Sequence, residues 1–312
     1  MIENLSGTEA MHTVALGNFD GVHSGHRALL TRARAIADET NKPLLVWTFP
    51  TLPTPAITPT ELRAAWLMAY GAEVVLFEDF EKVRDLSPED FVKTVLVDTL
   101  HTATCVCGYN YSFGRGGKGD AALLKSLLAS YGVRTEILPE IKGEAGATVS
   151  STALRRLLKD GQIEEATARM GHPYLIRATV EKGRRVGRTL GFPTVNQPID
   201  PTLAPVKQGV YASFCLLDGL AYPAVTNIGI RPTFEKEGRP IAETHILGLD
   251  ADLYGQTLTV GLLAFLREEK PFSSEDALIQ AVEKNKAEAE KVFASEKARN
   301  ILATMPDTLF FD

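Results

Sequence analysis

The chain has 312 residues and a formal net charge of −6, from 33 Lys+Arg against 39 Asp+Glu; this length suits about two domains, and the acidic balance argues against bulk nucleic-acid binding, which needs a basic face. Hydrophobic residues make up 45% and charged residues 23%, enough for ordinary globular cores without disulfide or metal staples. No run of about 18 apolar residues offers a spanning helix, and Met-Ile-Glu-Asn, with no Lys or Arg before Arg27, does not read as a secretory signal.

Strand and helix patterns alternate through the first half. Thr13–Leu16 is a short apolar strand ending at Gly17, and His26–Thr40 is a helix with Leu29, Leu30, Ala33 and Ile36 on one face. Leu44–Phe49 is a second strand, followed by a proline-rich loop to Pro59, a helix over Glu61–Tyr70 and a third strand over Val74–Phe77. Ser87-Pro88-Glu89-Asp90 has the N-cap, first-turn proline and acids of a helix start. Thr104–Cys107 is a fourth strand, Ala121–Tyr131 a helix and Thr135–Leu138 a fifth strand. This order predicts βαβ units and a parallel sheet with helices on both faces. Cys105 and Cys107 read as small residues of a buried strand, and with Cys215 the odd count fits reduced, cytoplasmic thiols.

Ser150–Leu158 and a second helix ending at Met170 lead into a different pattern. Strands over Leu175–Val180, Val210–Leu217, Ala224–Ile228, Glu243–Leu249 and Leu258–Leu266, separated by glycine and proline, predict a small antiparallel barrel or sandwich. The tail from Ser274 is helical, with Ser273 and Asp276 at capping-box spacing and Leu278, Val282, Ala289, Val292 and Phe293 along one stripe. The domains are therefore expected at residues 1–171 and 172–312.

Four motifs carry chemistry. In Gly17-Asn18-Phe19-Asp20-Gly21-Val22-His23-Ser24-Gly25-His26, glycines turn the chain from a strand into a helix start, where free N–H groups and two histidines can meet phosphate. The bland alternative is a glycine turn with two surface histidines. Gly108-Tyr109-Asn110 opens a glycine-rich stretch in which Arg115 and Lys118 suggest a mobile cationic loop for polyphosphate. Ser150-Ser151-Thr152-Ala153-Leu154-Arg155 puts hydroxyls at a helix start and an arginine one turn on, either a second anion site or a plain cap. Gly187-Arg188-Thr189-Leu190-Gly191-Phe192-Pro193-Thr194-Val195-Asn196 supplies a hydroxyl and an amide as ligands for a hard cation such as Mg²⁺. Asn227-Ile228-Gly229-Ile230-Arg231 and Glu243-Thr244-His245 follow, with Glu243 a candidate general base or a simple exposed strand residue.

The histidine turn resembles the nucleotidylyltransferase superfamily. Taken together, and in this order, the motifs resemble the bifunctional prokaryotic riboflavin kinase/FAD synthetase family over nearly the whole chain. The resemblance implies a Rossmann-like nucleotidylyltransferase domain followed by a small antiparallel Greek-key β-barrel with a C-terminal helix. It implies that Gly17, Phe19, Asp20, Gly21, His23, Gly25, His26 and Asn110 hold ATP phosphates for adenylyl transfer, with Ser151, Thr152 and Arg155 closing over the nucleotide. It implies that Gly187, Arg188, Gly191, Pro193, Thr194, Asn196, Asn227, Arg231 and Arg267 bind ATP and flavin for the kinase, with Thr194 and Asn196 on Mg²⁺ and Glu243 taking the proton of the riboflavin 5′-hydroxyl. Riboflavin, FMN and ATP are then the substrates and FAD the product, which is passed on to apo-flavoproteins by transient contact; nucleic acid and membrane are not partners, and the oligomeric state stays open. Phe49-Pro50-Thr51-Leu52-Pro53 departs from the family's F-x-P-H-P, and Gly248 stands where an Asp is common. An alternative reading is a riboflavin kinase whose first module only binds nucleotide.

Overall fold

The computed structural model describes residues 11–51, 54–141, 149–183, 187, 190–231 and 239–310. They form two compact units, residues 1–54 with 60–150 and residues 55–59 with 151–312.

The first unit is built on a five-stranded parallel sheet. Its strands are β1 (His12–Leu16), β2 (Leu44–Thr48), β3 (Val74–Phe77), β4 (Thr102–Gly108) and β7 (Arg134–Leu138), in the order β3-β2-β1-β4-β7. Strands β1 and β2 are buried along their whole length, as expected where helices cover a parallel sheet. The flanking helices are α1 (Ser24–Thr40), α2 (Thr60–Ala69), α3 (Phe80–Val83), α4 (Pro88–Asp90, continued as a π-helix over Phe91–Thr99) and α5 (Ala121–Ala129). Ser87 caps α4 as its sequence predicts, its hydroxyl accepting from Asp90 N at 3.0 Å. Cys105 and Cys107 are indeed buried strand residues. The core packs Trp47, Phe91 and Leu96 against Leu16, Cys107 and Leu124.

The glycine-rich stretch after β4 includes a short hairpin. Strands β5 (Ser112–Phe113) and β6 (Gly119–Asp120) pair antiparallel. The Arg115 guanidinium donates twice to Asp85 O, at 2.9 and 2.6 Å, so its charge ties the hairpin to neighbouring backbone.

The second unit is a six-stranded antiparallel sheet in the order β8-β13-β10-β11-β12-β9. The strands are β8 (Tyr174–Thr179), β9 (Val195–Pro198), β10 (Gly209–Leu217), β11 (Leu220–Arg231), β12 (Arg239–Ile246) and β13 (Thr257–Arg267). Sheet curvature brings its edges together: Glu181, just beyond β8, bridges to Asn196 of β9. The buried Gln197 amide donates at 2.8 Å to both Ala178 O and Leu258 O across the seam. Strand β9 is an element that the sequence pattern did not reveal, because four residues leave too little periodicity to read.

Helices α6 (Ser151–Lys159) and α7 (Ile163–Met170) pack on this barrel, with Leu154, Leu158, Ile163 and Met170 in one cluster with Tyr174, Tyr211 and Leu262. By packing, residues 151–170 group with the second compact unit. Ile57 joins the same cluster, and Ala56 pairs with Leu203. Helices α8 (Glu275–Phe293) and α9 (Glu296–Ala303) close the chain. Ser274, one residue later than the capping-box spacing suggests, caps α8 by accepting from Ala277 N. Among the described residues no helix is long and apolar enough to cross a membrane.

Candidate functional sites

In the first unit the strand order reverses between β1 and β4. The chain leaving β1 enters the Gly17–His26 turn, and the chain leaving β4 enters Gly108–Asn110. A reversal of this kind opens a crevice at the carboxyl ends of the strands, where open α/β sheets bind ligands. Phe19, Gly21 and Val22 take φ values of 50°, 75° and 32°. Positive φ at a β-branched residue is costly and persists only where surroundings enforce it. His23 is the N-cap of α1 and accepts from His26 N at 3.4 Å. The two imidazoles stack with centroids 3.7 Å apart, and Phe19 tilts against His26 at 5.3 Å. Burial, then the neighbouring charges of His23 and Arg63, push the His26 pKa well below its ordinary value. His26 is thus neutral at pH 7, able to donate from one ring nitrogen without being a fixed cation.

The sequence reading passed over Arg63. It lies on α2, wholly buried, and its guanidinium donates to Asn18 O (3.2 Å), Phe49 O (2.5 Å) and Pro50 O (3.1 Å). Burial lowers the Arg63 pKa, and Asp20, also buried, opposes that shift. An arginine in an otherwise apolar helix stripe with Leu62, Trp66 and Leu67 was the available signal. Asn110 is exposed just after β4. Ser151, Thr152 and Arg155 lie in the first turns of α6, in the second compact unit, and Arg155 Nε donates to Pro55 O at 2.7 Å.

In the second unit the register puts three polar side chains side by side. Glu243 of β12 faces Asn196 of β9 on one side and Asn227 of β11 on the other. Residues directly opposite in antiparallel strands share a face, so the three form a row. Thr244, between Glu243 and His245, points the other way and hydrogen-bonds to Thr226 at 2.9 Å in the barrel interior, fixing that register. A cavity of about 600 Å³ opens over this face, lined among others by Thr194, Asn227, Glu243, His245, Arg267 and Phe272. Leu278, Val282 and Asn285 of α8 form its far wall. Arg267 donates to Asn285 Oδ1 at 3.3 Å and lies over the Phe272 ring at 5.4 Å; burial lowers its pKa, and Glu269 opposes that shift. Asn227 donates to Glu269 at 2.7 Å. His245, its pKa lowered mainly by burial, donates from Nδ1 to Pro193 O at 2.8 Å and so anchors the residue before Thr194. Thr194 also borders a second, smaller cavity of about 230 Å³ with Asp250, Asp252 and Tyr254.

Asn285 is a further residue of this cavity that sequence reasoning did not single out, and His245, named there only as part of the Glu243-Thr244-His245 motif, was given no role. Asn285 falls in the stripe set by Leu278, Val282, Ala289 and Val292, and a buried amide in such a stripe was the signal. Gly191 takes φ 84° and Gly187 leaves no room for a Cβ, which would meet Phe192 O at 2.5 Å. Gly248, at φ 73°, suits its turn better than the Asp common elsewhere. Arg188, Leu52 and the side chain of Arg231 lie outside the described residues.

A family model described as FAD synthetase matches residues 6–153, and one described as riboflavin kinase matches residues 170–293. The Bifunctional riboflavin kinase/FMN adenylyltransferase of Escherichia coli (strain K12) is 34% identical over 295 residues, covering 91% of this chain and 93% of that protein. The chain belongs to the bifunctional riboflavin kinase/FMN adenylyltransferase family. The family member of Bacillus subtilis (strain 168) is 31% identical over 300 residues, covering 92% of this chain and 94% of its own. A solved structure titled a macrolide-efflux protein from Streptococcus pneumoniae superposes with a TM-score of 0.83 at 28% identity, over 93% of this chain and 97% of that one. The histidine turn falls under the first family match and the Asn196–Glu243–Asn227 row under the second.

Proposed function

We propose that this chain phosphorylates riboflavin to FMN and adenylylates FMN to FAD, at two separate sites. The observation that carries this reading is the Asn196–Glu243–Asn227 row beside a cavity in a chain that also holds a histidine turn at the switch point of a parallel sheet.

At the kinase site, the ribityl 5′-hydroxyl attacks the γ-phosphate of ATP, its proton passes to Glu243, and ADP leaves. A hydroxyl is a weak nucleophile, so a positioned base is useful there. The apolar wall from Phe272, Leu278 and Val282 suits the flavin ring, and Arg267 stands beside it. Gly187, Arg188, Gly191, Pro193 and Arg231 are assigned to nucleotide and flavin binding in this reading. Thr194 and Asn196 offer neutral oxygens, and among the described residues no group of three or more His, Cys, Asp or Glu could hold a metal alone. That donor set fits Mg²⁺, which keeps waters and takes its remaining ligands from phosphate. When bound, the ion neutralises charge on the transferring phosphates.

At the transferase site, the FMN phosphate attacks the α-phosphate of a second ATP and pyrophosphate leaves. The nucleophile is already anionic, so this step needs alignment and charge stabilisation instead of a base. The Gly17–His26 turn, with His23, His26 and the start of α1, supplies both in this assignment. Ser151, Thr152 and Arg155 contribute to nucleotide binding in this assignment, as does Asn110. The three unpaired, buried cysteines suit a cytoplasmic setting, and FAD is released for transient uptake by apo-flavoproteins.

Incubation with riboflavin, ATP and Mg²⁺ followed by separation of the flavins tests the assignment. FMN and FAD are expected. FMN alone would leave only the kinase, and neither product would overturn the proposal.

A further inference from the structure

We propose that Arg63 is a positioning residue for adenylyl transfer, clamping the Gly17–His26 turn and the loop after β2 into one fixed arrangement. The proposal rests on the reading that adenylyl transfer takes place at that turn, and it concerns a residue that none of the motifs contains.

The geometry is specific. One guanidinium edge reaches Asn18 O in the turn after β1, and the other reaches Phe49 O and Pro50 O after β2. Thr48 Oγ1 donates to the same Asn18 O at 3.2 Å. The two loops thus leave adjacent parallel strands and are joined by one side chain. The guanidinium also lies over the Phe77 ring at 5.2 Å. The fork reaches one loop from each of two separate nitrogens, Asn18 O from Nη1 and Phe49 O and Pro50 O from Nη2; an ammonium has three N–H donors but on a single nitrogen, a point charge without that planar fork.

Burying a guanidinium costs far more than burying leucine, and packing alone does not call for it. The turn supplies a reason. Phe19 and Val22, neither a glycine, are held at positive φ, a conformation that relaxes unless its neighbours over-determine it. Asn18 immediately precedes Phe19. A turn that relaxes moves the histidines and helix-start N–H groups away from where charge develops on departing pyrophosphate. A misplacement of about 1 Å costs on the order of 10²-fold in rate.

The test uses Arg63→Met and Arg63→Lys in the full chain, with kcat and KM for FAD formation, kinase activity on the same preparations, and thermal melting. Arg63→Met is expected to lower kcat for FAD formation about 10²-fold, with KM for ATP within about threefold and FMN formation within about twofold. Arg63→Lys keeps the charge without the fork, and recovers about tenfold of that loss. Unchanged kcat in a variant that melts like the wild type overturns the proposal, as does a loss confined to KM. If Arg63→Met does not fold, Arg63→Lys decides by the same criteria, with a loss of about tenfold expected; if neither folds, Arg63 is a core residue only and the proposal fails. His26→Ala in the same assay separates the two ideas, since full FAD formation in that variant would sink the site assignment itself.

Discussion

Glu243 stands directly opposite Asn196, on neighbouring antiparallel strands of the barrel. The candidate base and a candidate metal-and-phosphate ligand are therefore held in fixed register by the sheet, although 47 positions separate them in the sequence. Replacing Glu243 by Gln keeps the shape and removes the proton acceptor. FMN formation is expected to fall roughly 10²-fold or more, while FAD formation from supplied FMN survives. Separate assays of the two steps check this, and equal losses in both would argue for one shared site.

Gly183 packs on the Asn196 amide so closely that a Cβ would lie 2.5 Å from Nδ2. Gly183→Ala must displace that amide. The expected result is a drop of about tenfold in kcat/KM of the kinase step, by analogy with a modest misplacement of a positioning group. Retention of full kinase activity would show that Asn196 is not part of the machinery.

His23 and His26 stack at the start of α1. His26→Ala is expected to reduce FAD formation about 10²-fold, the usual consequence of losing one donor to a developing charge, and to spare FMN formation. Steady-state rates for both products on one preparation decide the matter.

Acid should destabilise the protein through His26. Its folded pKa lies below that of the unfolded chain, chiefly through burial. Between those two values the unfolded state binds more protons, so stability is full above about 6.5 and is lost as pH falls toward the folded value. His245 shifts in the same direction, so a variant is needed to isolate the effect. The melting temperature is expected to fall less between pH 7.5 and 5.5 in His26→Gln than in the wild type. Equal slopes in melting scans would contradict it.

Much of this was legible in the chain itself. Alternating short apolar runs and amphipathic helices announced the parallel sheet, because the period of burial is written directly in residue order. Strand-and-turn spacing announced the antiparallel unit in the same way. The motifs named His23, His26, Thr194, Asn196 and Glu243, since a glycine turn before a helix or a hydroxyl two residues from an amide is local chemistry. The β9 strand and the true partners of α6 and α7 were not legible. A four-residue strand has no period to detect, and a helix's apolar face does not say which core it joins.

What the sequence determined by itself was the set of candidate reactive groups and the two kinds of unit that carry them, because both depend on neighbours within a few residues. Only the tertiary structure decided which groups stand together. Sheet register aligned Glu243 with Asn196 and Asn227, curvature brought Gly183 onto Asn196, and the core enclosed Arg63 against carbonyls of two loops. Those contacts join residues far apart in the chain, and they are fixed by packing and long-range hydrogen bonds that no local pattern encodes.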